Sequence, residues 1–549
     1  LLPDNLSSSF NLVVDELNRT LQSRLDMSLA CVVETFSFDY ADLSRRLGVK
    51  IVYEKASNIE SNKPTIQLLG FEKPCKLCGL RPATQNMDTP GEEKTPVCTI
   101  CYNLYTIGEL LHFNAKLGLK KEHRGVIVDV GGRKYTFREL YKSLNNVEEL
   151  RKEISQKLIE YHSGWDPDEE LERQLNYSII SIDGNLMGMF MLGAVSFSDA
   201  VERSVRIDLA LKKALRNTLD LIAMTIKDAC SETIKESVED LCYELAAREK
   251  IRVYSGVLYM GGDDGRFIVP SWASIPLALG LATYFYHYMG GYATLSIGLA
   301  SAPPKHSIWG LIETSSELEE KAKSSGRYLS LSKWLTGEDQ GIGSIGFILT
   351  ESTSMLTPSK IEFLLNEVGV NKLGISAQPY IISLDENREL TLLLSKLISA
   401  LGLSKELSTF KLPLHKEVPS NLEIVLSLAS AIARVGFLGV YYAKTKTDKQ
   451  HVEALNKAKK VINELIEVYS REYSKLLSPF ATKAITIIYA RRQATRKRDS
   501  IEKSLYKSII EMTNNIRREK KNGERSREDM IIPLHDLYLL IKIIGGGTI

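Results

Sequence analysis

Apolar runs of transmembrane length are missing from this 549-residue chain; the stretch IPLALGLATYFYHYM, Ile275 to Met289, is too short and ends too polar to cross a bilayer. No secretory signal is visible either. A soluble cytoplasmic protein is the expectation, and a start at Leu1 rather than Met reads as a piece of something longer. Excess charge is also lacking, with a formal net charge of +2 and a pI near 8.0. That excludes a globally basic nucleic-acid binder, so any contact with nucleic acid has to run through local patches. Histidine is sparse, at eight scattered residues. Walker A, dinucleotide-binding and serine-nucleophile-elbow motifs are absent, and Gly545-Gly546-Gly547 neither follows a strand nor opens a helix. The length leaves room for roughly three to five domains.

What is present is the tetrapeptide Gly261-Gly262-Asp263-Asp264, with RVYSGVLYM before it and GRFIVP after it. Both flanks are rich in the β-branched and aromatic residues that strands prefer, so the segment predicts a hairpin with two negative charges at its tip. Such charges are unfavourable side by side unless a divalent cation sits between them or their pKa values move apart. This is the arrangement that holds Mg²⁺ against nucleotide phosphates. A solvated hairpin tip is the competing reading, since Gly and Asp are ordinary turn residues.

A second strand-like run, Tyr177 to Ile182, ends in Asp183, and Gly184 after it lets the following amides turn toward a phosphate. Helical spacing fills Ser198 to Lys250 and Trp272 to Met289, and YATLSIGLASAPP supplies another strand. A helix around Glu317 to Ser324 follows, with Lys321, Lys323 and, past Gly326, Arg327 at its end. This order predicts a palm, an antiparallel sheet with helices on one face.

Four of the seven cysteines form two CxxC pairs, Cys75/Cys78 and Cys98/Cys101, with nineteen residues between them. Two knuckles of two thiolates each can close a tetrahedral Zn²⁺ site. Disulfides are the alternative, disfavoured without a secretory signal, and a redox CxxC lacks a thioredoxin-like context. Cys31, Cys230 and Cys242 sit in apolar contexts.

Asp183, Gly261 to Asp264, the TLSIG of Thr294 to Gly298, and Ala322 to Arg327 together resemble the palm of GGDEF-type nucleotidyl cyclases. Asp264 stands where that family has Glu, and Gly265 where it has Phe, which points away from diguanylate cyclases. The chain is more similar to the large palm-containing subunit of type III CRISPR effector complexes (Csm and Cmr systems), whose signature is GGDD and which carries a CxxC…CxxC module between two palms. The resemblance implies an α+β multidomain protein: a partial, inactive first palm over 1–70, a zinc-binding module and helical connector over 71–175, a second, GGDD palm over 176–386, and a C-terminal helical bundle over 387–549. It also implies target-RNA-activated synthesis of cyclic oligoadenylates from ATP in antiviral defence, with guide CRISPR RNA, target RNA and the other effector subunits as partners.

In this reading Asp183, Asp263 and Asp264 hold Mg²⁺ or Mn²⁺, and Gly184, Gly261 and Gly262 allow close approach of the nucleotide. Lys323 and Arg327 neutralise phosphate charge, and Cys75, Cys78, Cys98 and Cys101 hold a structural Zn²⁺. An exposed helix end is the plainer reading of EEKAKSSGR. An HD nuclease domain, which many family members carry, finds no support, and His535-Asp536 reads as a helix or cap element. A stand-alone nucleotidyl cyclase and an architectural subunit with a degenerate palm are the rival readings.

Elsewhere the pattern predicts a helix over Phe10 to Arg24, a helix near Tyr40 to Gly48 and a strand over Val49 to Tyr53. A hairpin is expected within Gly125 to Leu140, and long helices over Leu390–Leu401, Asn421–Ala443, Gln450–Leu477 and Ala484–Arg518. The basic clusters Arg491 to Arg498 and Arg517 to Lys521 are either backbone contacts for nucleic acid or solvated helix faces.

Overall fold

The computed structural model of the protein describes residues 73–77, 81–89, 92–104, 127–130, 133–136, 176–195, 197–233, 256–303, 306–337, 341–350, 373–401, 422–445, 450–515 and 531–546, with isolated positions between 16 and 53 and between 242 and 253. They fall in two units, one of residues 1–167 and 188–204, the other of 168–187 and 205–549.

In the first unit, strands β1 (Gln85–Thr89) and β2 (Glu92–Val97) form an antiparallel hairpin, as do β3 (Ile127–Val130) and β4 (Arg133–Thr136). The β3–β4 pair is the hairpin expected within Gly125 to Leu140. Glu16, Arg19, Arg46 and Leu47 are helical as expected, but so are residues 49–53, where a strand was expected. Val49, Val52 and Tyr53 are all exposed there. Strand preference of β-branched residues comes from packing on a half-buried sheet surface, which an exposed run does not have.

The second unit is built on a six-stranded sheet of order β10-β9-β8-β5-β7-β6. Its strands are β5 (Tyr177–Gly184), β6 (Val257–Gly261), β7 (Asp264–Pro270), β8 (Leu295–Ala302), β9 (Gly343–Leu349) and β10 (Tyr380–Ile382). Only β8 and β9 pair in parallel. Between β5 and β6 lie α1 (Met187–Leu192) and α2 (Phe197–Thr233), whose residues 188–204 belong to the first unit; α3 (Ser271–Tyr288) and α4 (Ile308–Thr336) follow β7 and β8.

Helices cover both faces of the sheet, not one. Ile179, Ala300 and Ala302 pack with Leu311 and Leu318 of α4 on one side. On the other side Gly343, paired with Leu295 of β8, lies against Ala282 of α3. The sequence of β8, LSIGLASA, has no polar alternation and every residue is buried, as a strand covered on both faces requires. The run that is too short to span a bilayer is α3, almost wholly inside the fold.

After β10 the described residues are helical: α5 (Glu389–Ala400), α6 (Glu423–Thr445), α7 (Gln450–Leu476), α8 (Pro479–Arg496), α9 (Ser500–Asn515) and α10 (Leu534–Ile544). The long helix expected over Ala484–Arg518 is two helices. Asp499 breaks it, its Oδ1 accepting from the amides of Ile501 (3.0 Å) and Glu502 (3.1 Å) as an N-cap that starts α9 afresh. Against the expectation that no apolar run reaches transmembrane length, the stretch Glu423–Val440 of α6 is long and apolar enough to cross a membrane, but 83% of it is buried in the fold, as in a core helix. Trp272 of α3 meets Phe437 of α6 edge-on, centroids 5.8 Å apart. Cys230 and Cys242, expected only to be apolar-context residues, form a buried disulfide with Cα atoms 5.5 Å apart, packed with Leu245.

The C-terminal helix braces the sheet. The Asn176 amide, at the base of β5, donates to Gly546 O (3.0 Å), and Ser271 Oγ donates to Ile543 O (3.0 Å). At the helix start, the fully buried Asp536 accepts from Ser376 Oγ (2.7 Å), the Ala377 amide (2.8 Å), Gln378 Nε2 (3.0 Å) and Tyr380 OH (2.5 Å). His535-Asp536 is thus a structural element. Asp536→Ala leaves four donors without that acceptor, and Asp536→Asn turns an NH₂ toward some of them. Each should cost about 3 kcal/mol of stability, read as a lower urea midpoint at unchanged slope; a loss under about 1 kcal/mol contradicts this role.

Candidate active site and metal centre

The hairpin forms as the sequence predicts. Gly261 ends β6, Gly262 takes φ +63° at the turn, and Asp264 begins β7. The turn is anchored from α2, where Asp208 Oδ1 accepts from the Gly262 amide at 3.2 Å. A Cβ at Gly261 or Gly262 would meet nothing within 4 Å, so the space above the turn is open.

On β5, Ile182 pairs with Gly265. Continuing that register sets Asp183 opposite Asp264 and Gly184 opposite Asp263. Alternation then turns Asp183, Asp264 and Arg266 to the α4 face of the sheet. Gly184 cannot be replaced here: its Cβ would lie 2.7 Å from Asp263 Cβ and 2.8 Å from Asp263 Oδ2. Of the amides after Gly184, expected to turn toward a phosphate, that of Asn185 is taken up by Thr294 O instead (2.9 Å).

The turn after Asp183 is fixed by a buried network. Asn185 donates from its amide to Thr294 O (2.9 Å) and from Nδ2 to Thr294 Oγ1 (2.9 Å), while Ser296 Oγ donates to Asn185 Oδ1 (2.7 Å). Ser344 Oγ, 3.2 Å from Ser296 Oγ, donates to Ala322 O of α4 (2.8 Å). Leu186 takes a left-handed φ of +57°, a strained conformation for a branched residue that this network holds in place. The carboxyl-bearing turn and the Lys323 turn of α4 are thereby fixed relative to each other.

Lys323 Nζ lies 2.8 Å from Asp183 Oδ2, 3.1 Å from Glu319 Oε1 and 3.2 Å from Glu320 Oε2. Burial opposes its charge, but the hydrogen bonds and charges of Asp183 and Glu319 outweigh burial and hold its pKa above the ordinary lysine value. Tyr259 OH donates to Asp264 Oδ2 at 2.5 Å; burial first, then this bond, raises the phenol's pKa. Arg266 donates to Ser181 Oγ (3.3 Å) and Ser316 Oγ (2.8 Å) and lies over the Tyr259 ring. Asp263 is pushed up to about 6, by burial first and then by the charges of Asp183 and Asp264.

Of the residues predicted from sequence, Asp183, Asp263, Asp264, Gly184 and Lys323 come together. Arg327, one helical turn beyond Lys323, is exposed. Three carboxyls are an all-oxygen donor set suited to Mg²⁺ or Mn²⁺, and the missing Cβ of Gly184 is what lets Asp263 sit against the β5 backbone next in sequence to Asp183. Among the described residues they do not converge as tightly as the cysteines below, since Asp183 is drawn to Lys323 and Asp264 to Tyr259. Sequence reasoning missed Tyr259, Asp208 and Glu319; alternation along β6 and the i,i+4 spacing to Lys323 were the available signals for the first and last.

In the other unit, Cys75, Cys98 and Cys101 are not disulfide-bonded, and their sulfurs lie within 4.8 Å of one another. The Cys101 amide approaches Cys98 Sγ at 3.4 Å, the bond of a metal knuckle, and Met87 and Val97 back the cluster. Sulfurs around a tetrahedral Zn²⁺ stand about 3.8 Å apart for bonds of about 2.3 Å, so the trio fits a zinc site. Cys78 and Cys31 lie outside the described residues.

Residues 176–329 match the family model described as Cas10/Cmr2, second palm domain. That segment is thus similar to the second palm of the family to which the sequence resemblance pointed. No curated protein matches the chain. Two similar solved structures are a Csm1-Csm4 cassette in complex with cA4, at 14% identity, and one in complex with AMPPNP, at 16%. Both give a TM-score of 0.31 and cover 79% of this chain, which spans 60% of theirs.

Two outcomes follow from the charges. Asp263 should titrate near pH 6 in carboxyl ¹³C NMR without divalent cations; a midpoint below about 4 contradicts its burial. Because this folded-state pKa is raised, ionising Asp263 costs stability fully above pH ~6, and the cost disappears as pH falls from ~6 to ~4. Asp263→Asn should therefore raise the melting temperature at pH 7.5, with the gain shrinking to nothing near pH 4. For the cysteines, Co²⁺ substitution should give thiolate charge-transfer absorption that Cys98→Ser/Cys101→Ser abolishes; a disulfide among these cysteines contradicts the zinc site.

Proposed function

We propose that this chain is the large palm-containing subunit of a type III CRISPR RNA-guided effector, a cytoplasmic assembly with guide RNA and smaller protein subunits. In it, target-RNA pairing would switch the palm to joining ATP into 3′–5′ cyclic oligoadenylates. The observation that carries this reading is the meeting of Asp183, Asp263, Asp264 and Lys323 within the segment that matches the family's second palm.

Asp183, Asp263 and Asp264 would hold Mg²⁺ or Mn²⁺, whose charge would stabilise the triphosphate and lower the pKa of the attacking ribose hydroxyl. The protein's own groups prepare that site. Asp263, titrating near pH 6, is ionised at neutral pH and available as a ligand. Tyr259 fixes the Asp264 carboxyl. The open space over Gly261 and Gly262 lets the nucleotide reach the hairpin backbone. Lys323, and Arg327 one turn on, offer positive charge to the phosphates. The cysteine module would hold Zn²⁺ for structure alone. On the C-terminal helices, Arg491, Arg492, Arg496 and Arg498 are exposed and free to meet a nucleic-acid backbone, whereas Lys497 is tied to Glu502 at 3.0 Å.

The test uses the assembled complex with ATP, Mg²⁺ or Mn²⁺ and cognate target RNA, with products read by mass spectrometry. Cyclic oligoadenylates should form, and Asp263→Ala/Asp264→Ala should lower their rate at least about 100-fold with guide and target RNA still bound. A double variant as fast as the unmodified complex rules out the site. An unmodified complex that makes no oligoadenylate with any cognate RNA makes the palm architectural, and full activity of the chain without RNA makes it a stand-alone cyclase.

A further inference from the structure

Lys323 has more carboxylates around it than one ammonium neutralises, and they are not equivalent. The Glu319 side chain is 13% exposed, against 25% for Asp183 and 59% for Glu320. Glu319 sits four residues before Lys323 on α4, the favourable order for a helical Glu–Lys pair. Burial raises its pKa while Lys323 pulls it down, so its charge depends on the lysine staying close. Asp183, by contrast, arrives from β5, and it belongs to the carboxyl set proposed to take a divalent cation. That cation and an ammonium cannot both press on Asp183 without strong repulsion. One of them has to yield, and Glu319 is the half-buried carboxylate already 3.1 Å from the lysine.

We infer that Glu319 is a positioning residue for the palm site. Lys323 is a displaceable counter-ion, pairing with Asp183 while the cation is absent and retained by Glu319 when the cation takes Asp183. The exchange keeps the carboxyl cluster from repelling itself apart in the empty site. It also leaves the ammonium beside the cluster, on the side of α4 from which it can reach a phosphate. This inference rests on the reading that Asp183, Asp263 and Asp264 bind a divalent cation.

Mn²⁺ affinity of the full chain, measured by calorimetry without nucleotide, separates the two ideas. If Lys323 competes for Asp183, Lys323→Met should tighten Mn²⁺ binding about tenfold. Glu319→Gln should weaken it by a similar factor, because the lysine is then left to Asp183. In the Lys323→Met background the same Glu319→Gln change should move the affinity less than about twofold, since it acts only through the lysine. Equal weakening in both backgrounds makes Glu319 a direct ligand or a bulk charge and overturns the inference. So does a Lys323→Met protein that binds Mn²⁺ no more tightly than the unmodified chain. Should either variant fold poorly, ¹⁵Nζ NMR of Lys323 in the unmodified chain decides: its resonance should shift as Mg²⁺ saturates the site, and an unmoved resonance overturns the exchange. If Asp263→Ala/Asp264→Ala binds Mn²⁺ as the unmodified chain does, the cation site itself is wrong, and this inference falls with it.

Discussion

The backbone of β5 and the side chain of Asp263 come so close that a single Cβ at Gly184 would not fit between them. That contact forces carboxyl groups from two strands into one partly buried corner of the sheet. Burial there, and then the repulsion of like charges, push the Asp263 pKa up to about 6. Much of the local architecture serves to keep this corner closed. Asn185 and the hydroxyls of Thr294, Ser296 and Ser344 fix the turn after Asp183, Asp208 fixes Gly262, and Tyr259 fixes Asp264. None of these residues would be required if the corner were only a hairpin tip in water.

The same crowding connects structure to chemistry. A cluster of carboxyls with one ammonium is under-neutralised, and a hard divalent cation is the group that relieves it most. The phosphates of a nucleotide, in turn, are the ligands such a cation and the adjacent Lys323 would attract together. The sheet supplies the rigidity this needs. It is covered on both faces, by α3 and α4, and braced by the C-terminal helix, near the base of β5 through Asn176 and Ser271 and at β10 through Asp536. A site on the ends of strands in such a sheet is held more firmly than one on a loop.

Much of the palm was legible in the sequence because its signals are local. The hairpin around Gly261 to Asp264, the strand ending in Asp183, the apolar β8 and the spacing of Lys323 each follow from periodicity and turn chemistry. What escaped was tertiary. Glu319 looks like one more charge on a helix until β5 brings Asp183 to the same lysine, and Tyr259 looks like a strand aromatic until β7 sets Asp264 beside it. Helices on both faces were implied by the largely apolar β8, with no charged residue and no polar alternation, but a run alone does not say what covers it. The break at Asp499 was written in a capping residue within a strongly helical stretch, and the helix over 49–53 defeated a β-branched signal that has no sheet to pack on. The cysteine trio was readable from spacing, whereas the Cys230–Cys242 pair, twelve residues apart, carried no motif.

The central claim is that the corner made by Asp183, Asp263 and Asp264 takes a divalent cation together with a nucleotide. Anomalous diffraction from crystals of the chain grown with Mn²⁺ and a non-hydrolysable ATP analogue tests it directly. The account predicts a manganese peak in contact with at least two of these three carboxylates and with phosphate oxygens of the analogue. Nucleotide bound elsewhere, or a palm corner with Lys323 still on Asp183 and no manganese at saturating concentration, would contradict it.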